Sequence, residues 1–167
     1  MADYTDTFYR IADDAIHGYG AQLMVGDGAS PETFQAIAGI LSIQPGEIST
    51  ADIDTTHLRS PNRHREHRAG IRDSGPFTVT GTWLPKDESQ SYTGGGSGSF
   101  VSGGLAYLAA QGTNHNFKIV LNDGSPATEW PFRAYVASFT PGEIGIDDRI
   151  TFTATFQPVQ DYTADLP

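Results

Sequence analysis

Apolar and polar residues alternate with a period of two along much of this chain, most clearly in its second half. Phe77, Val79, Gly81 and Trp83 alternate with Thr78, Thr80, Thr82 and Leu84. Ile150-Thr151-Phe152-Thr153-Ala154-Thr155-Phe156 repeats the pattern almost without a break. In a strand, successive side chains point to opposite faces, so each run predicts a half-buried strand with a threonine-rich outer face. Trp130 to Phe139 sets Trp130, Phe132, Ala134 and Val136 against Arg133 and Tyr135. Phe117-Lys118-Ile119-Val120-Leu121 ends at Asn122-Asp123-Gly124, a hairpin signal. Earlier, Gln22 to Val25 reads as a first strand, and Ile40, Leu41 and Ile43 lie in a second, closed by Pro45-Gly46. Ile48 to Leu58 forms a third, in which Asp52 and Asp54 flank Ile53, so one of its faces is wet or meets cations.

Helical patterning is sparse. Leu105 to Gln111 is rich in helix formers, Gly112 suits its end, and Leu105, Leu108 and Ala109 can share a face that covers a sheet. Tyr4, Phe8, Ile11, Ala12, Ala15 and Ile16 also recur at helix-like spacing. Residues 1–18 have two readings, a short amphipathic helix or an arm that orders only against a neighbouring copy, and the arm is preferred because chain ends are often loose until docked. The tail from Pro158 to Pro167 is polar. Repeated strands, one helix and no parallel crossover units predict a mainly β chain. Its fold is an antiparallel sandwich or barrel in a single domain, residues 1–167, with one flanking helix and a long extended loop.

That loop carries the charge asymmetry. The net charge is −10 over 167 residues. Between His57 and Arg72, five arginines face one acid, a local sum of +4, so the remainder carries −14. From Ser60 to Arg68 almost nothing is apolar, so the run cannot bury itself and must be an exposed loop or the tip of an extended hairpin. An acidic body binds nucleic acid poorly, since phosphate binding needs neutralising cations. The basic segment suits an acidic partner surface, including the body of another copy. There are no cysteines, hence no disulfide or thiolate chemistry. No apolar run approaches the ~20 residues that cross a membrane, and the N-terminus lacks the pattern of a secretion signal.

Candidate chemistry is weak. His57, His64, Glu66 and His67 are types that bind zinc, but the arginines among them oppose a dication. Gly94 to Ser99 precedes a helix, yet the Lys and Ser/Thr of a phosphate-binding loop are missing; Phe100-Val101 stand there. Asp13-Asp14, Asp52/Asp54 and Asp147-Asp148 lie beside turns, where aspartates are usually solvated, and calcium-loop spacing is absent. Gly96-Ser97-Gly98 belongs to low-complexity sequence, not to a nucleophile elbow. No catalytic residue, metal or cofactor is expected. A monomeric β-sandwich that binds a ligand or carbohydrate is the alternative, with Trp83, Trp130, Tyr92 or Tyr135 as its stacking platform.

An ordered set of short pieces gives a further reading. Gly26-Asp27-Gly28, Pro31-Glu32-Thr33-Phe34, Ile37-Ala38-Gly39, the Pro45-Gly46 turn, Ile53-Asp54-Thr55-Thr56 and Gly70-Ile71-Arg72-Asp73-Ser74-Gly75 follow one another at set spacings. Their order resembles the major tail tube protein of long-tailed bacteriophages, the lambda-like and gene-transfer-agent group, over nearly the whole chain. The resemblance implies a structural, non-enzymatic subunit of a virion tail, assembled in the host cytoplasm. Six copies would form a ring, with sheets joining between subunits into a stacked hollow tube. The tube would hold the tape-measure protein, meet tail-tip and tail-terminator proteins, and conduct DNA without tight binding. Residues 57–75 would then be the inter-ring loop, with Arg59, Arg63, His64, Arg65, Glu66, His67, Arg68, Arg72 and Asp73 as its contact residues.

Overall fold

The computed structural model describes residues 18–59, 64–92, 102–122, 126–146 and 148–159. Among the described residues nine strands and one short helix follow in order: β1 (Gln22–Gly26), β2 (Phe34–Ala36), β3 (Ile40–Gln44), β4 (Ile48–Asp54), β5 (His67–Ser74), β6 (Phe77–Thr82), α1 (Leu105–Gln111), β7 (His115–Leu121), β8 (Thr128–Pro141) and β9 (Thr151–Pro158). Seven strands form one sheet in the order β2-β1-β7-β8-β9-β6-β3, and β4 and β5 pair only with each other. All pairings are antiparallel.

The order of that sheet forces it to close. β2 and β3 are its outermost strands, yet only residues 37–39 separate them in sequence. In a flat sheet, six inter-strand gaps would hold them about 29 Å apart, whereas four peptide steps reach at most ~14 Å. The sheet therefore curls until its two ends meet. At the seam Ile37 N–H donates to Leu23 O of β1 at 2.9 Å, and Thr82 N–H of β6 donates to Gly39 O at 2.7 Å. Residues 34–44 thus act as one bent stave, paired first with β1 and then with β6, and the body is an antiparallel barrel.

Gly39 and Gln90 hold this seam. Gly39 has φ +74°, and a Cβ there would stand 2.8 Å from Thr82 O and 3.0 Å from Gln90 Nε2. Gln90 is fully buried. Its Nε2 donates to Ala38 O at 2.6 Å and to Thr82 O at 3.1 Å, while its Oε1 accepts from Leu84 N–H at 2.7 Å. A buried amide with its donors and acceptor occupied is stabilising, and the same group left unpaired costs about 1–3 kcal/mol.

Inside the barrel the alternating positions meet as the pattern requires. Leu23, Val25, Phe77, Val79, Phe117, Ile119, Phe132, Ala134, Val136, Phe152, Ala154 and Phe156 are all buried. Phe77 stacks on Phe156 at 4.7 Å between ring centroids and meets Phe132 edge-on at 4.5 Å. Phe117 of β7 meets Phe156 of β9 edge-on at 5.1 Å, although β8 lies between those strands; the curl brings the two rings together. Such pairs add about 0.5–1.5 kcal/mol each beyond the area they bury. Helix α1 packs against β8 and buries Leu105, Ala106 and Leu108, with Ala109 half-buried against the core. Two of its early amides are satisfied from outside: Leu105 N–H donates to Ser89 O at 2.9 Å and Tyr107 N–H to Ser91 O at 3.2 Å. It stops at Gly112, as expected.

Several expected boundaries differ. The third strand ends at Asp54, not Leu58, because Thr56 N–H turns back to Asp54 Oδ1 at 2.8 Å. The short β2 carries no alternation and forms only because the seam aligns it with β1. The expected loop to Arg72 is half strand: β5 begins at His67, so the excursion is the tip of an extended hairpin, the second of the two readings. Its residues lack an apolar stripe, and the strand exists only through its ladder to β4. Pro158 closes β9 and is buried rather than lying in the tail. Residues 1–17, 60–63, 93–101, 123–125, 147 and 160–167 lie outside the described residues. With them lie most of the N-terminal arm, Arg63, the Gly/Ser run, part of the Asn122-Asp123-Gly124 turn and most of the tail.

Candidate assembly surface

Hairpin β4–β5 stands off the barrel. At its base Gly75 N–H donates to Glu47 O at 2.8 Å, and Gln157 Nε2 donates to Ser74 O at 3.3 Å. Beyond that, its packing is almost wholly between its own two strands. The register runs from Ile48 opposite Ser74 to Asp54 opposite His67, with two residues of β5, Gly70 and Ile71, set against Ala51 of β4 between Thr50 and Asp52. Such a bulge bends a ribbon and increases its twist.

The tip is tied by short-range polar contacts. Thr55 N–H donates to Glu66 O at 2.8 Å, and Glu66 N–H donates to Thr56 Oγ1 at 3.0 Å. Asp54 is held below the ordinary carboxylate range by the Thr56 hydroxyl, then by the Thr56 amide and by the charge of His67. His67 Nδ1 lies 2.6 Å from Asp52 Oδ2, and His57 Nε2 lies 3.8 Å from Glu66 Oε2. The group that meets Asp52 is therefore His67, from the facing strand. These are pairs and not a cage: among the described residues no three His, Asp or Glu side chains converge as metal ligands would.

What the hairpin leaves uncovered matters more. Ile71 is 85% exposed and Ile53 48% exposed, Leu58 at the tip is fully exposed, and Ile48 is exposed as well. Arg59, His64, Arg65, Arg68, Arg72 and Asp73 are all exposed and Glu66 is half-buried. Among the described residues, none of those four arginines is in an ion pair. Of the expected contact residues, the structure thus brings Glu66 and His67 into pairs with His57 and Asp52, which were not among them. It leaves the described arginines in solvent. The exposed isoleucines were also missed. Their signal was present, since Ile48, Ile53 and Ile71 sit between polar neighbours that no core could use.

The remaining candidates are placed differently. Trp83 and Trp130 pack against the core, and Tyr92 meets Phe139 edge-on at 6.5 Å, so these rings are not set out as one open stacking face. Asp27 closes its own loop by accepting from Ala29 N–H at 2.9 Å and Thr33 N–H at 3.1 Å. Those bonds, led by one from the Thr33 hydroxyl, keep its carboxyl below the usual range. On the barrel wall Glu32 accepts from Asn116 Nδ2 at 2.9 and 3.1 Å. Lys118 bonds Glu129 at 2.8 Å and sits over the Phe34 ring, 4.7 Å from its centroid.

The barrel carries a protruding hairpin with exposed isoleucines along its strands, and the comparison with known sequences gives it a place. The family described as "Lambda phage tail tube protein, TTP" matches residues 19–162. The chain belongs to that family. It is a structural subunit of a tail tube, part of a virion tail, and not an enzyme. Among solved structures, a chain of the native gene transfer agent virion is similar at a TM-score of 0.61 and 14% identity, covering 87% of this chain and 95% of that one. The tail of an empty gene transfer agent particle gives 0.58 and 14%, with 87% and 96% covered. The SPP1 tail tube gives 0.58 and 11%, with 87% and 77% covered. At such identities these likenesses speak for the fold. No curated protein matches the chain significantly.

Proposed function

We propose that this tail tube subunit forms six-membered rings that stack into a hollow tube, and that the β4–β5 hairpin makes the contacts between copies. One observation carries this reading: a two-stranded hairpin that, among the described residues and beyond its base, packs almost wholly on itself, yet exposes Ile48, Ile53, Leu58 and Ile71. An isolated hairpin is marginal in water, and its exposed apolar residues gain free energy only when another surface covers them. A neighbouring copy is a fitting cover. Ring formation by head-to-tail contact needs two different, complementary surfaces on each subunit. The hairpin's arginines and the acidic remainder of the chain are such a pair. The six-fold symmetry of the gene transfer agent tail that this fold resembles supports the ring size.

Arg59, Arg63, His64, Arg65, Glu66, His67, Arg68, Arg72 and Asp73 then form the inter-subunit contact set, with the arginines on acidic partners of the adjacent ring. The tube encloses the tape-measure protein during assembly, abuts terminator and tip proteins at its ends, and passes DNA. Outside residues 57–72 the chain carries −14 of charge, and an acidic wall repels phosphate, so DNA slides without adhering.

Electron microscopy and size-exclusion chromatography of the purified protein, alone and with its tail partners, test this. Rings or hollow tubes are expected. Replacing Arg63, Arg65 and Arg68 together by Ser is expected to leave the folded monomer unchanged and to weaken stacking. Salt should mimic the loss, since screening shortens exposed contacts to about 8 Å at physiological ionic strength. A triple variant that assembles normally but fails to deliver DNA would assign the loop to DNA instead. A protein that stays monomeric with every partner would remove the reading.

A further inference from the structure

The hairpin and the loop between β8 and β9, residues 142–150, leave the barrel at opposite ends. In the β6–β9 ladder Phe77 stands opposite Phe156 and Thr82 opposite Thr151, a span of about 17 Å along the strands. The hairpin is rooted at the Phe77 end. There β3 finishes with Gln44 opposite Thr78, and Gln157 Nε2 donates to Ser74 O. The β8–β9 loop is fixed at the other end, where Gly142 N–H donates to Thr151 O at 2.7 Å and Trp83 N–H to Ile150 O at 2.9 Å. Beyond its base the hairpin packs almost wholly on itself, so it does not fold back along the barrel to the loop of its own chain.

The two features complement each other in chemistry. Ile144 is 72% exposed and Ile146 fully exposed, and Glu143 and Asp148 beside them are exposed as well. Residues 142–150 carry three acids against one arginine, whereas residues 57–72 carry five arginines against one acid. The hairpin's register gathers its matching groups on one face. Ile53 stands opposite Arg68, and Ser49 opposite Asp73. Alternate residues of a strand share a face, so Ser49 lies with Ile53, and Ile71 joins them through Asp73. A Cβ at Gly70, in the bulge, would stand 3.1 Å from the Ile53 side chain, so the glycine leaves that face open around the isoleucine.

We propose that the β8–β9 loop of one copy receives the hairpin of the next, with Ile144 and Ile146 against Ile53 and Ile71, and Glu143 and Asp148 beside Arg68. The inference rests on the hairpin being the contact between copies, and it names the surface that the hairpin meets. Burying the isoleucines supplies the attraction. The charges set its direction, because hairpin on hairpin or loop on loop would bring like charges together. Surfaces at opposite ends of one body give a head-to-tail contact that adds copies along the strands and does not close on itself, which is what the stacking of rings requires.

The chain has no cysteine, so introduced thiols report cleanly. Full-length chains carrying Ile71→Cys are mixed equally with chains carrying Ile144→Cys, under the conditions that assemble wild type, and mildly oxidised; Ile53→Cys with Ile146→Cys is a second pair. Mixed dimers, one chain of each kind, are expected from assembled tubes. Tubes that give no mixed dimer from either pair, or that join Ile71→Cys chains only to each other, overturn this assignment and leave the hairpin as the contact between copies. Protein that forms no tubes under any condition removes both readings. A second measurement needs no oxidation. Ile144→Ser with Ile146→Ser is expected to leave the circular dichroism and urea midpoint of the free subunit unchanged, and to raise several-fold the concentration at which tubes appear. Unchanged assembly of that variant would overturn the proposal whatever the disulfides show.

Discussion

The barrel and the β4–β5 hairpin are both antiparallel ladders, and they differ in where their side chains go. Along β6 burial alternates strictly from Phe77 to Thr82, and along β9 Phe152, Ala154, Phe156 and Pro158 are buried. Along β4 every residue from Ile48 to Asp54 is exposed. Backbone hydrogen bonds are therefore not what separates the regions. The barrel encloses a face and removes its apolar residues from water, worth about 25 cal/mol per Å². The hairpin has two faces, and beyond its base the described residues cover neither. Stability of the subunit resides in the first region, and capacity for contact in the second.

The largest effect should come from inside the barrel. Phe156→Ala removes a ring that stacks on Phe77 and meets Phe117 edge-on. It should cost about 3–5 kcal/mol, seen as a lower urea midpoint at unchanged slope. A small loss would mean that the aromatic cluster does not dominate the core.

The seam ranks next. Gly39→Ala forces a side chain onto φ +74° with a Cβ 2.8 Å from Thr82 O. About 1–3 kcal/mol is the expected cost of such strain, and amide exchange should rise at Ile37 and Thr82, whose N–H groups close the barrel. Exchange that rises evenly over the molecule would show that the seam is not a local latch.

A smaller effect should follow pH. Burial pulls the His115 imidazole below its ordinary value of 6.5, partly opposed by Glu32. The unfolded chain then takes up its proton first as pH falls. The contribution of neutral His115 is intact above pH 6.5 and is lost as pH falls through the lower folded-state value. The urea midpoint of wild type should fall more steeply than that of His115→Gln below pH 6.5, and parallel profiles would dismiss the histidine.

The smallest effect on folding belongs to the hairpin. Ile53→Ser with Ile71→Ser should change monomer stability by no more than about 0.5 kcal/mol, as exposed sites do, while raising the concentration needed for assembly, measured by sedimentation. A large loss of monomer stability would erase the contrast between the two regions.

Sequence by itself determined the helix and the barrel's strands other than β2. Phe77 to Thr82, Trp130 to Phe139 and Ile150 to Phe156 alternate because each buries one face, and that requirement is written locally, residue by residue. It also determined that the run from Ser60 to Arg68 is too polar to form a core, and its described residues, 64–68, are exposed or half-buried. Only the tertiary structure decided that the sheet closes. Closure depends on β2 and β3 reaching opposite ends of one sheet while three residues join them, a long-range fact with no local signature. Gln90 shows the same limit: it reads as a loop glutamine in sequence and becomes the buried clasp of the seam. Strand β5 was hidden because its pairing partner, not its own pattern, makes it extended. The pairing of His67 with Asp52 was hidden too, because fifteen residues of chain separate the two and only the hairpin register brings them together.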